Sequence, residues 1–194
     1  MPIKANYINI EKANATSLFY KKFKEIFLQN FHDSYSNLII LCVGTDRSTG
    51  DSLGPLVGDR LKFVESEFIR VYGTLDEPVH AKNLVSVMER IEKRYSNPFI
   101  ISIDACLGKS KNVGCIFVDK GPIKPGAGVN KKLPEVGHIH VMGIVNIAGF
   151  MEYIILQNTR LSLVMRMAKI ISGGIYYNLP NIIKMNDERE SLKR

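Results

Sequence analysis

An α/β domain, with a mostly parallel sheet covered by helices on both faces, is the fold this sequence predicts. Three observations predict it. Short aliphatic runs of strand type, led by Leu38-Ile39-Ile40-Leu41-Cys42-Val43 and Phe99-Ile100-Ile101-Ser102-Ile103, alternate with segments of helical period. The 194 residues are 45% hydrophobic and 23% charged, which suits one domain with a substantial core. No repeat, low-complexity segment or linker divides the chain. Residues 1–194 are therefore expected as a single domain with its core at about 37–172, a leading helix at 15–31 and a charged tail at about 174–194.

The elements follow in order. At 15–31, Leu18, Phe19, Phe23, Ile26, Phe27 and Phe31 recur near helical spacing, giving a first amphipathic helix. Residues 37–44 make a short apolar strand ending at Gly44, and Pro55 sits in the first turn of a helix reaching about Phe63. Residues 69–73 alternate like a strand. A helix is expected over 81–95, where Leu84, Val85, Met88 and Ile91 share a face. Pro98 opens a buried strand that is expected to end at Asp104, and 113–119 is another. The Gly/Pro/Lys-rich stretch 121–137 is long enough to suspect function. Residues 138–145 form a further strand, and 150–172 a mainly helical segment stopped by Gly173-Gly174.

Composition narrows the classes. No apolar stretch approaches the ~20 residues of a membrane span, and residues 1–6 lead into no signal-peptide core. Cys42, Cys106 and Cys115 have no metal-finger spacing and lie in or beside apolar runs, as reduced core thiols of a cytoplasmic protein do. The net charge of +7 comes from scattered Lys and Arg, so a solvated surface is expected, without direct nucleic-acid or membrane binding.

In open sheets of this kind, ligands collect beyond the carboxyl ends of the strands. Gly44-Thr45-Asp46-Arg47-Ser48-Thr49-Gly50-Asp51-Ser52-Leu53-Gly54-Pro55 and Asp104 both fall there. A phosphate cradle would need G-x-x-x-x-G-K-[ST], but Asp51 stands where lysine should be. Gly50-Asp51-Ser52-Leu53-Gly54 satisfies G-x-S-x-G and resembles the GDSL esterases. Five residues, Thr45 to Thr49, then intervene after the strand, and no D-x-x-H follows to supply a base. That esterase reading is the lesser alternative. The third reading pairs Asp51 with Asp104. Pro55 would fall at the fourth helical position if Asp51 were the N-cap, so Gly54 or Ser52 is the better cap and Asp51 is left free. Asp104, after Ile-Ile-Ser-Ile, is partly desolvated, a state favoured where the charge is used or paired.

Three motifs carry a resemblance over roughly residues 38–155. They are Thr49-Gly50-Asp51-Ser52-Leu53-Gly54-Pro55, Ile103-Asp104-Ala105 and Lys124-Pro125-Gly126-Ala127-Gly128-Val129-Asn130-Lys131. The sequence resembles the YyaC family of sporulation proteins. Those are similar to the bacterial spore germination protease and, more remotely, to hydrogenase maturation endopeptidases. The first motif departs from the protease's T-P-D-x-L-G-P by glycine for proline, and the third is one residue shorter than its counterpart.

The resemblance implies a three-layer phosphorylase/hydrolase-like α/β fold and a germination-type endopeptidase. Asp51 and Asp104 would be its catalytic aspartates, acting without cofactor on a protein or peptide substrate such as a spore protein. Asp46, Gly126, Gly128 and Asn130 are expected along the substrate groove. The maturation endopeptidases add a downstream histidine and bind a divalent metal. The matching set here would be Asp51, Asp104 and one of His138 or His140, which are expected on opposite faces of their strand. A fold that has lost turnover and kept a binding role is the remaining alternative. The sequence leaves the oligomeric state open.

Overall fold

The aliphatic run that opens the domain becomes the second strand of a six-stranded sheet, buried along nearly its whole length. The computed structural model describes residues 7–125 and 133–192. In chain order the elements are β1 (Ile8–Asn9), α1 (Ala15–Asn30), β2 (Asn37–Cys42), a 3-10 turn (Gly50–Ser52), α2 (Leu53–Leu61), β3 (Ile69–Tyr72) and α3 (Leu84–Arg94). Then follow β4 (Pro98–Gly108), β5 (Cys115–Lys120), β6 (Ile139–Ile147), α4 (Glu152–Gln157) and α5 (Leu161–Leu192). The strand order is β1-β5-β6-β4-β2-β3. The pairs β2–β3, β2–β4 and β4–β6 are parallel, and β5 runs antiparallel to both β6 and β1.

Alternation along the parallel strands sorts the side chains onto two faces. Leu38, Ile40, Cys42, Phe99, Ile101 and Ile103 join the core beneath α1, α2 and α5. Ile39, Leu41, Val43 and Ile100 join a smaller cluster beneath α3. The sequence expectation of a mostly parallel sheet with helices on both faces is met.

Three expectations are corrected. The strand at 98 does not end at Asp104 but continues to Gly108, because β6 pairs with it beyond the point where β2 stops. The final helix is not stopped at Gly173-Gly174. It runs to Leu192, so the region expected as a charged tail is helical. Gly174 serves close packing there: a Cβ on it would overlap the Phe19 ring, and Asn178 Nδ2 donates to its carbonyl at 2.8 Å. The segment expected as one helix from 150 is broken instead, with α4 and α5 separated at Asn158–Arg160.

Candidate active site

Asp51 comes within electrostatic reach of Asp104 because the chain leaves the sheet at Gly44 and returns on itself. Val43 N–H still donates to the Ile103 carbonyl at 2.7 Å, and Gly44 N–H then turns to the Val79 carbonyl at 2.7 Å. Gly44 has φ 141°, and a Cβ there would overlap the Asp51 carbonyl oxygen. That same oxygen accepts Thr45 N–H at 3.0 Å, closing the loop. Helix α2 is pressed onto the strand ends through two further glycines. A Cβ on Gly54 would strike the Val43 carbonyl, and one on Gly58 the Gly73 carbonyl. The sequence reading passed over this four-residue spacing.

Asp51 lies in the 3-10 turn and is not a helix cap, as expected. Ser52 occupies the cap position of α2 but makes no capping bond; its Oγ donates to the Thr49 carbonyl at 2.7 Å. Pro55 falls at the third helical position, where its missing N–H costs no intrahelical bond. Ser52 is buried. A buried hydroxyl committed to a carbonyl is poorly placed to act as a nucleophile.

Asp104 stands inside β4, paired with Met142 of β6, one residue past the last β2 partner, Ile103. It belongs to the α3 face, with Ser102 and Cys106 in its own strand and His140 and Met142 in the next. Its carboxyl is pushed well above the usual carboxylate range, first by burial and then by the charge of Asp51. Ala105 N–H, donated to Oδ1 at 2.7 Å, opposes the rise. Burial raises Asp51 as well. Two desolvated carboxylates that feel one another favour a shared proton over a double negative charge.

Cys106 is more than the core residue expected of it. Burial, and then the charge of Asp104, push its thiol up to about 12, so it borders the site as a neutral group. Ser48, in the same loop as Asp51, is buried with its hydroxyl unpartnered among the described residues. Neither carries a motif of its own. Asp46 is exposed, and Thr45 Oγ1 donates to it at 3.4 Å. The groove residues Gly126, Gly128 and Asn130 lie outside the described residues.

The two histidines stand on opposite sides of the sheet, for a reason other than strand alternation. Residues two apart in a regular strand share a face. His138 instead precedes β6, after Gly137 at φ 103°, and its ring stacks on Phe99 at 5.1 Å on the α1 side. Its Nδ1 accepts Ile100 N–H at 2.9 Å, and burial lowers its pKa. His140 shares the Asp104 face, where its Nδ1 bonds the Gly121 carbonyl at 2.9 Å and its ring meets Phe117 edge-on. Among the described residues, no three His, Cys, Asp or Glu side chains converge as metal ligands. The set Asp51, Asp104 and His138 or His140 is not assembled there.

Helix α4 covers the turn that carries Asp51. Leu156 packs so closely over Gly50 that a Cβ would overlap it. The same segment turns apolar groups outward: Phe150 is 98% exposed, and Met151, Tyr153 and Ile154 are exposed beside it. None of the described helices is long and apolar enough to cross a membrane.

Known proteins are similar to this chain. The crystal structure of a NiFe hydrogenase maturation protease, HycI from Thermococcus kodakarensis KOD1, is similar at TM-score 0.48 and 13% identity, over 79% of this chain and 98% of that one. The protein YyaC of Bacillus subtilis (strain 168) is 56% identical over 138 residues, 71% of this chain and 67% of YyaC. The family model described as protein of unknown function (DUF1256) matches residues 8–174. With that match across most of its length and so similar a relative, the chain belongs to the DUF1256 family.

Proposed function

We propose that the protein is an endopeptidase in which Asp51 and Asp104 share one proton. The observation that supports this reading is that both carboxyls are desolvated and that Asp104 feels the charge of Asp51. Both are raised by burial, Asp104 also by the charge of Asp51, where β2 ends and β4 continues. The ionised partner takes a proton from water as it attacks the peptide carbonyl. The protonated partner donates to the carbonyl oxygen and later to the leaving amine. Motif resemblance to the germination protease points to a protein substrate in a sporulating bacterium, cut inside the cell. The exposed apolar surface of Phe150, Met151, Tyr153 and Ile154 lies next to the turn bearing Asp51 and suits apolar side chains of an extended substrate.

The test incubates the purified protein with an extract of sporulating cells and maps new protein termini by mass spectrometry. Wild type is expected to generate a defined set of termini. Asp51→Asn and Asp104→Asn should each lower their rate by about 10²–10⁴-fold with the far-ultraviolet circular dichroism unchanged, since asparagine keeps the shape but cannot exchange the proton. Chelator is expected to leave the rate unchanged. Identical termini from all three proteins would overturn the dyad, and loss with chelator that added metal restores would replace it with metal chemistry.

A further inference from the structure

On the face that carries Asp104, at the β3 end of the sheet, a cleft of about 830 Å³ opens between β3 and α3. Arg70 of β3 and Arg90 and Arg94 of α3 line it, together with Tyr72, His80 and Asn83. Arg70 and Tyr72 are two apart in β3 and share a face. Arg94 and Arg90 both act on the Tyr72 phenol, pulling down a pKa that burial pushes up to about 12. Arg90 and Arg94 thus act on one tyrosine, and Arg70 stands on the same face of β3 in the same cleft.

Among the described residues, none of the three arginines forms an ion pair with a carboxylate. Arg70 Nε is buried with no hydrogen-bond partner, and Arg94 lies over the Tyr95 ring at 5.6 Å. Arg90 and Arg94 are four apart on α3, a spacing at which like charges repel. The acidic residues of the cleft are Glu65, Asp76 and Glu77. Glu65 accepts Val71 N–H at 3.0 Å, Asp76 lies 3.8 Å from Lys62 Nζ, and Glu77 is exposed. A buried orphan donor among unpaired like charges is unfavourable until an anion supplies acceptors. Guanidinium forks match the paired oxygens of a phosphoryl group.

The outer edge of β3 offers no place for an added strand. Leu38 N–H bonds the Phe68 carbonyl, which turns the backbone groups of Ile69 and Val71 away from β2. Ile69 N–H donates to Ser66 Oγ at 3.1 Å, its carbonyl accepts Ser66 N–H at 2.9 Å, and Val71 N–H goes to Glu65. The cleft therefore receives a compact group and not an extended peptide.

We propose that this cleft binds a phosphate ester, its phosphoryl oxygens held by Arg70, Arg90 and Arg94. The site is separate from the aspartate pair and does not depend on the peptidase reading. The experiment titrates the full chain with inorganic phosphate and with phenyl phosphate at low salt, by calorimetry and by NMR of the arginine Nε–H signals. Saturable binding of phenyl phosphate that shifts the Arg70, Arg90 and Arg94 signals is the expected result. The double variant Arg90→Gln/Arg94→Gln, on the exposed side of α3, should weaken it by at least about tenfold. Arg166→Gln, whose arginine pairs with Glu11 at 2.8 Å on α5, should not. Absence of saturation up to about 10 mM, or an affinity unchanged in the double variant, would overturn the proposal. So would binding of inorganic phosphate alone.

Discussion

The two faces of the sheet are built differently. Beneath α1, α2 and α5 the filling is aromatic and dry: Phe19, Phe23, Phe27 and Phe99 are fully buried, and the Phe27 and Phe31 rings stack at 4.8 Å. Beneath α3 the same strands present Ser102, Asp104, Cys106 and His140, and the edge carries a cleft walled by unpaired arginines. The aromatic face supplies the burial that lets the other hold desolvated carboxylates at a cost. Stability and chemistry are segregated by strand parity.

The largest expected effect is on the aromatic face. Phe23→Ala removes a fully buried ring packed between Phe19 and Phe27 and is expected to cost about 3–5 kcal/mol, read as a lower urea midpoint. A cost below about 1 kcal/mol would break the comparison. At the seam between the faces, Gly54→Ala forces a methyl against the Val43 carbonyl. It is expected to destabilise by about 1–3 kcal/mol and to slow cleavage by displacing Asp51. Gly149→Ala, where a methyl would meet open space, serves as its control.

On the α3 face the sign reverses. Asp104 has a raised carboxyl, so the folded state holds its proton over a pH range where the unfolded chain has released it. Stability is therefore lost as pH rises from the ordinary value of 3.8 through the raised one. Asp104→Asn should raise the melting temperature at neutral pH, with the gain vanishing below about pH 3.8. A variant less stable than wild type at neutral pH would mean that a cation or donor in the fold stabilises the ionised carboxylate, against the raised pKa. The smallest effect belongs to His138 on the aromatic side, whose pKa is lowered by burial. There the unfolded chain binds the extra proton, so wild type loses stability as pH falls from about 6.5 towards the lowered value. His138→Gln should flatten that part of the pH–stability curve, and an unchanged slope would assign it to another group.

Much of the frame was legible because it is local. The aliphatic runs of β2 and β4, the spaced phenylalanines of α1 and the loop from Gly44 to Pro55 each announce themselves within a dozen residues. The end of β4 was not legible, because Asp104 reads as a terminator until β6 is seen to pair past it through Gly108. Gly173-Gly174 reads as a helix stop until Phe19 of α1 is seen to require the smallness of Gly174. The apolar surface before and within α4 carries no pattern that marks it as lying by the turn of Asp51.

By itself, then, the sequence determined the class of fold, the runs that become its central strands and the candidate pair Asp51 and Asp104, since these follow from hydrophobic pattern and from motif. Tertiary structure alone decided that the two carboxylates feel one another, that His138 leaves the Asp104 face while His140 keeps it, and that Arg70 of β3 shares a cleft with Arg90 and Arg94 of α3. The physical reason is one of range. Period and turn chemistry act over a few residues, whereas desolvation and charge act through space, between groups that only the completed sheet brings together.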